Sequence, residues 1–259
     1  MPERQRVYRT HAVVLRRRDQ SDADRIVRVF TPNEGKLELI AKGIRKTTSR
    51  KAGHLELFTH ASLLIAKART WDIVTEVTTI ESYRYIREDL GAIGHAAYCC
   101  ELLDSFTELD DENQPLWDLL LLALRELDKQ VYEQRSGHSQ LLTRWYELHL
   151  LGAAGFQPQF FYCMGSGEEL KPETNYLSIA EGGVFGPEQG RARNDTEPIE
   201  PEILKILRYL QSRRWQEVHK LSIRPNTMIR VENILYRIIL HILERRLKSV
   251  DFLRHIKPS

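Results

Sequence analysis

Apolar and polar positions alternate with a period of two along the first eighty residues, and the period lengthens beyond them. Residues 7–15 are rich in β-branched and apolar side chains. Residues 25–31 alternate, with Ile26, Arg28 and Phe30 on one face and Val27 and Val29 on the other. Pro32-Asn33-Glu34-Gly35 forms a turn. Residues 36–41 alternate again, Leu37, Leu39 and Ala41 opposite Glu38 and Ile40. Residues 55–66 and 71–80 give two further strands, separated by a break at Arg69-Thr70. Five short strands in so short a stretch predict a small closed barrel, because closure removes unpaired strand edges.

An oligonucleotide-binding (OB) barrel has this strand count. Beyond residue 82 apolar residues recur at spacings of three and four, which predicts helices over 83–109, 114–131, 139–154, 200–212 and 230–248. In the second of these, Leu116, Leu119, Leu120, Ala123, Leu124 and Leu127 form one apolar stripe. Gly155-Phe156-Gln157-Pro158 ends the third, glycine just past the helix and proline beyond. Residues 163–198 are glycine-rich and read as an irregular insertion. The expected fold class is α+β: an N-terminal five-stranded OB-type barrel over residues 1–80, then a helical domain over 81–259.

The chain has 259 residues, 42% of them apolar and 29% charged, the make-up of a folded soluble protein. Its longest apolar run, 119–124, is far too short to span a bilayer. The charged start Met1-Pro2-Glu3-Arg4-Gln5-Arg6 has no apolar region behind it, so no secretory signal is expected. Cys99, Cys100 and Cys163 are odd in number and two are adjacent, which fits a reducing cytosol rather than a disulfide framework. A net charge of +2 conceals strong segregation. Residues 1–80 carry +7, 81–130 carry −8, 131–204 carry −6 and 205–259 carry +9. Two basic regions invite a polyanion, unless they only neutralise the acidic middle of the same fold.

The sharpest local feature is the stretch 42–53, with Lys42, Arg45, Lys46, Arg50 and Lys51, no acid, and glycines at both ends. Lysine and arginine neutralise phosphates, hydroxyls add hydrogen bonds, and glycines let the backbone approach a strand. The bland alternative is a solvated loop. Arg16 and Arg17, within Arg16-Arg17-Arg18, extend the same candidate surface. Tyr8, Phe30, Phe58 and Trp71 are the aromatics available for base stacking; alternation assigns Phe30 and Phe58 to the core, and Trp71 to a hairpin tip. Asp19, Asp22 and Asp24 read as a polar turn rather than a Mg²⁺ site. His54 and His60 read as surface residues, and Cys99-Cys100 as buried small apolar side chains. There is no phosphate-binding P-loop, no His-Glu-x-x-His and no nucleophile elbow, so no catalytic residue and no enzyme activity are expected.

The order of segments resembles one family. Ala12-Val13-Val14-Leu15-Arg16, Asp24-Arg25-Ile26-Val27, Phe30 through Lys36, and Ala41-Lys42-Gly43-Ile44-Arg45 resemble the N-terminal part of RecO, the bacterial recombination mediator. Tyr98 with Glu101-Leu102-Leu103-Asp104, then Leu151-Gly152 with Gly155-Phe156-Gln157-Pro158, resemble its helical part. Leu247-Lys248-Ser249-Val250-Asp251-Phe252-Leu253 resembles its C-terminal signature. The resemblance implies an OB barrel and a helical domain, binding of single- and double-stranded DNA, and annealing of complementary strands. It also implies work with RecR, contact with the C-terminal tail of the single-stranded DNA-binding protein SSB, and help in loading RecA, all in the cytoplasm at the nucleoid. Many members carry a four-cysteine zinc knuckle in the insertion. Here Cys163 keeps one position and Ser166 stands at its partner's, so the insertion is expected to be a degenerate knuckle with no metal and no cofactor.

The SSB tail ends in an apolar residue beside carboxylates, so its receptor needs an apolar pocket with a basic rim. Arg208, Arg213, Arg214 and Lys220 are candidate rim residues, with Arg125 at the edge of an apolar wall along 116–127. Two rival classes remain: an RNA-binding OB protein without annealing activity, and a nuclease, against which the lack of a two-metal carboxylate set argues.

Overall fold

The computed structural model describes residues 7–134 and 138–256; the charged segment 1–6 read above lies outside them. Contacts divide the chain into two compact units, one of residues 1–134 and 248–259, the other of residues 135–247. The division differs from the boundary expected near residue 80, because the first two helices and the last one pack with the barrel rather than with the helices between them.

In the first unit, β1 (Val7–Asp19), β2 (Arg25–Thr31), β3 (Gly35–Ala41), β4 (His60–Ala66) and β5 (Asp72–Glu81) close into a barrel in the order β1-β2-β3-β5-β4. β1 pairs antiparallel with both β2 and β4, and a short parallel pairing of Leu39 with Asp72 and Ile40 with Ile73 closes the ring. The alternation predicts the inward set well: Val27, Val29, Leu37, Leu39 and Ala41 meet Ala12, Val14, Ala61, Leu63, Ile65 and Val74 in one core. Two boundaries differ. β1 runs on through Arg16-Arg17-Arg18 to Asp19, and β4 begins at His60 because residues 55–59 turn against Val14, whose amide and carbonyl bond Thr59 and Phe58. Gly35 has φ +62, and a Cβ there would lie 2.0 Å from the Asp111 carbonyl oxygen, so only glycine permits this approach.

The expected helix over 83–109 is broken into a 3-10 turn (Tyr85–Glu88) and α1 (Leu90–Phe106), whose N-terminus is capped by Asp89 accepting from the Ala92 amide at 2.7 Å. α2 (Gln114–Tyr132) starts at an Asn113 cap with proline in its first turn. The outer barrel face at Phe30 is buried, and α1 fastens beside it. Lys36, its side chain 8% exposed, reaches from β3 to donate to the carbonyls of Asp104 (2.7 Å) and Thr107, and lies 3.3 Å from the Asp104 carboxylate. Arg28 bridges the same carboxylate at 2.9 Å and Glu38 at 2.5 Å.

The second unit holds α3 (His138–Ala153), β6 (Asn175–Ser178), β7 (Gly183–Phe185), α4 (Pro187–Arg191), β8 (Glu197–Ile199), α5 (Pro201–Ser212), α6 (Trp215–Val218) and α7 (Pro225–Leu243). The insertion is therefore not wholly irregular: β6 sits between β7 and β8 in a three-stranded sheet. α3 packs against α5, α6 and α7, with Trp145 donating to the Arg213 carbonyl at 2.8 Å. The last expected helix, 230–248, starts earlier, at Pro225, and stops at Leu243, where Glu244 takes φ +52. The chain then forms a separate α8 (Lys248–Ile256), which docks on α1. Glu101 of α1 accepts from the amides of Lys248 (3.0 Å) and Ser249 (2.8 Å) and from the Ser249 hydroxyl, so it caps α8 from another helix. Among the described residues no helix is long and apolar enough to cross a membrane.

His60 is buried rather than exposed. It pairs with Val13 across β1–β4 and is wedged between His11 and Trp117, with ring centres 5.4 and 5.5 Å away. Glu81 at 3.7 Å is beyond hydrogen-bond reach and acts only through its charge. Burial holds the His60 imidazole below its ordinary value, and His149, packed on Trp145, is lowered for the same reason. The Cys99 and Cys100 thiols are buried in α1 as expected.

Two outcomes follow. Lys36→Met leaves the Asp104 and Thr107 carbonyls without this donor and the Asp104 carboxylate to Arg28 alone, so a loss of about 2–3 kcal/mol in urea unfolding is expected. The depressed imidazoles are neutral in the fold and free to protonate when unfolded. Their stabilisation is complete above the ordinary pKa of about 6.5 and is lost as pH falls below it. The melting temperature should therefore drop between about pH 6.5 and 5, with a shallower slope in His60→Leu/His149→Leu; an unchanged slope excludes these two residues.

Candidate nucleic-acid interface

Strand pairing sorts the three arginines that end β1. A register shift between Val14 and Arg16 sets Arg16 opposite Arg28 and Arg18 opposite Ile26, on the outer face. Arg17 falls opposite the inward-facing Val27 and ion-pairs with Glu56 at 2.5 Å. Arg16 and Arg18 are exposed, and with Ile26, Arg28 and Glu38 they line a shallow cleft of about 280 Å³. The Arg18 guanidinium lies 5.9 Å from the centre of the Trp71 ring, at the turn into β5.

The basic stretch 42–53 is pinned at both ends. Gly43, at φ +66, donates its amide to Asp24 at 2.8 Å, and the Arg45 amide bonds the Ala23 carbonyl at 3.0 Å. Ile44 then drops into the barrel core. The Arg45 side chain donates to the Ser21 carbonyl at 2.8 Å and lies 3.5 Å from Asp19. Asp19 is bonded to Arg25 at 2.9 Å, and that bond holds its carboxyl below the usual range. At the far end Lys51 donates to the Val74 carbonyl at 3.1 Å, its pKa lowered by partial burial. His54 bonds Thr79 at 2.7 Å, and Leu55 enters the core. Asp19 and Asp24 thus anchor the loop from the β1–β2 turn.

The seven expected DNA-contacting residues therefore fall into two kinds. Arg17, Arg45 and Lys51 hold the barrel and loop together. Arg16, Lys42, Lys46 and Arg50 are exposed, and among the described residues they have no ion-pair partner. Of the aromatics, Phe30 and Phe58 are buried and Tyr8 is half-buried beneath Lys67. Only Trp71, half-buried, stands beside the cationic cleft. Arg18 lies outside the expected set; the available signal is that two residues' spacing puts it on the same strand face as Arg16.

The expected partner-binding residues are divided between the two units. Arg125 belongs to the first unit, and Arg208, Arg213, Arg214 and Lys220 to the second. Arg125 is ion-paired with Glu81 at 3.0 Å. Arg208 is structural, donating to the carbonyls of Phe160 (2.7 Å) and Leu170 (3.2 Å). The stripe Leu116 to Leu127 faces the core and offers no open wall, because it is the face by which α2 packs. Arg213 meets Glu217 at 3.4 Å, while Arg214 and Lys220 are exposed.

In the insertion, the sulfur of Cys163 accepts from the Gly186 amide at 3.2 Å, and its S–H faces the Gln189 carboxamide oxygen at 3.2 Å. Backbone amides around the sulfur pull the thiol pKa down against the opposing effect of burial. Among the described residues no three His, Cys, Asp or Glu side chains converge as metal ligands. One thiol closed over by an amide side chain does not fit a zinc knuckle.

Replacing Arg16, Lys42, Lys46 and Arg50 together with alanine should leave stability nearly unchanged. It should lower the log–log salt slope of single-stranded oligonucleotide binding by about 3. Arg17→Ala or Lys51→Ala should instead lower the unfolding midpoint and move the slope by less than one. The reverse pattern would show that these exposed cations touch no phosphate.

Two family models cover this chain. Residues 5–83 match the model described as Recombination protein O N terminal, and residues 87–251 match Recombination protein O C terminal. A protein named DNA repair protein RecO from Roseiflexus sp. (strain RS-1) is 39% identical over 254 residues, covering 98% of this chain and 87% of that one. Proteins of the same name from Dehalococcoides mccartyi and Symbiobacterium thermophilum are 32% and 30% identical, covering 94% and 99% of their own lengths. With both halves matched in order and relatives aligned almost end to end, the chain belongs to the RecO family of DNA repair proteins.

Proposed function

We propose that this chain is a DNA-binding recombination mediator, acting without covalent chemistry. Its relatives are named DNA repair proteins. The observation that carries the reading is the set of exposed cations Arg16, Lys42, Lys46 and Arg50, without ion-pair partners among the described residues, with Arg16 lining the cleft that Arg18 and Trp71 adjoin. The barrel is of OB type, and its N-terminal module holds a strand by its phosphates. Fixed cations neutralise phosphates and release counterions, which lowers the repulsion between two strands and lets complements pair. Trp71 offers a ring on which a base of single-stranded DNA stacks, and the cations serve the double-stranded product equally.

The family supplies the partners: RecR, the C-terminal tail of SSB, and RecA indirectly, in the cytoplasm at the nucleoid. For an acidic tail, Arg214 and Lys220 are two exposed cations of the second unit with no ion-pair partner among the described residues.

A strand-annealing assay with bare strands and with SSB-coated strands tests this reading. Acceleration of both is expected, and the fourfold alanine variant should lose most of it. Salt-sensitive binding to RNA and DNA alike, with no annealing, favours an RNA-binding protein, and Mg²⁺-dependent cleavage of the strands favours a nuclease.

A further inference from the structure

A second aromatic and cationic cluster lies where β5 ends. Arg125, Lys129 and Tyr132 are spaced i, i+4 and i+7 along α2, so they share one outward stripe. The turn after β5 brings Tyr85 against this stripe, its ring centre 5.0 Å from that of Tyr132 at an interplanar angle of 44°. The Arg84 guanidinium also lies 4.5 Å from the Tyr85 ring centre and donates to its hydroxyl at 2.6 Å. The result is a stack of Arg84, Tyr85 and Tyr132, opening onto a shallow hollow of about 390 Å³.

The stack is held in place by its surroundings. The Asp128 carboxylate accepts from the Ile86 amide at 3.0 Å, tying the turn to α2. Tyr83, buried at φ +46, donates to Glu81 at 2.7 Å, and Glu81 also takes Arg125. Both acids of the cluster are thereby engaged, while Lys129 has no ion-pair partner among the described residues. Tyr132, 65% exposed, is the most exposed large apolar side chain among the described residues.

We propose that this stack is a second binding site for single-stranded nucleic acid, with a base stacked on Tyr132 and flanking phosphates on Arg84 and Lys129. It rests on the reading of the chain as a DNA-binding protein and adds a site apart from the barrel cations. β5 runs from beside Trp71 to Glu81, roughly 30 Å at 3.3 Å per residue. The open π face decides the ligand class. A base needs a flat ring and nearby cations, both present here, whereas an acidic peptide anchored by an apolar side chain needs an enclosed pocket. Two such sites on one chain would hold two strands at once.

The test uses the full chain, an eight-nucleotide oligothymidylate, and isothermal titration for stoichiometry and affinity. Two oligonucleotides per chain are expected for the wild type and for Tyr132→Phe, which keeps the ring. Tyr132→Ala should weaken one of the two sites by tenfold or more. The Arg16/Lys42/Lys46/Arg50 alanine variant should lose the other. Tyr132 is exposed, so an unchanged melting temperature is expected in both of its variants. Two unchanged sites in Tyr132→Ala, or a single wild-type site lost only in the barrel variant, would overturn the proposal. So would an acidic peptide with an apolar end whose binding is lost in Tyr132→Ala while oligonucleotide binding stays the same. If the barrel variant keeps both sites and Tyr132→Ala loses one, the barrel reading fails and the tyrosine site stands.

Discussion

The ammonium of Lys36 is buried between the barrel and the first long helix, and the layout of the first unit follows from how it is satisfied. A buried charge without partners costs several kcal/mol. Lys36 finds the carbonyls that α1 leaves unpaired at its C-terminal end, together with the Asp104 carboxylate. Arg28 shares that carboxylate from the neighbouring strand and divides its charge with Glu38. Two cations, two carboxylates and a helix end thus fix α1 across β2 and β3. α2 and α8 then pack on α1, and so a barrel and three helices behave as one unit.

A related principle separates the exposed cations from the structural ones. Each basic side chain in the barrel loops either meets a carbonyl or carboxylate already held by the fold, or stays in water. Arg17, Arg45 and Lys51 meet Glu56, Ser21 with Asp19, and Val74. Their contacts tie both ends of the basic stretch to the barrel, and Lys42, Lys46 and Arg50 are exposed along it. A charge held in place loses less entropy on meeting a phosphate than one on a slack loop.

The insertion is built around one buried sulfur, that of Cys163. Thiolates in a metal site are stabilised by the ion; here one sulfur accepts from the Gly186 amide and donates its S–H to the Gln189 carboxamide oxygen. Gln189 lies across Gly165, where a Cβ would come within 1.9 Å of its oxygen, so that glycine makes room for the closure. The small sheet of β6, β7 and β8 carries the rest.

Alternation in the sequence determined the barrel strands and their inward faces, because a period of two reports which side chains leave water and a closed sheet has one interior. Helical spacing likewise determined α2 and its buried stripe. Sequence also gave the basic stretch and the family. It could not tell Arg17 from Arg16, since a register shift at Leu15 changes parity without a compositional mark. Nor could it show that Leu116 to Leu127 are consumed in packing, that His60 is enclosed by His11 and Trp117, or that residues 248–256 return to α1. The pairing of Tyr85 with Tyr132 was equally hidden. Each of these depends on contacts between residues far apart in the chain, and local periodicity carries information only about a residue's own neighbours.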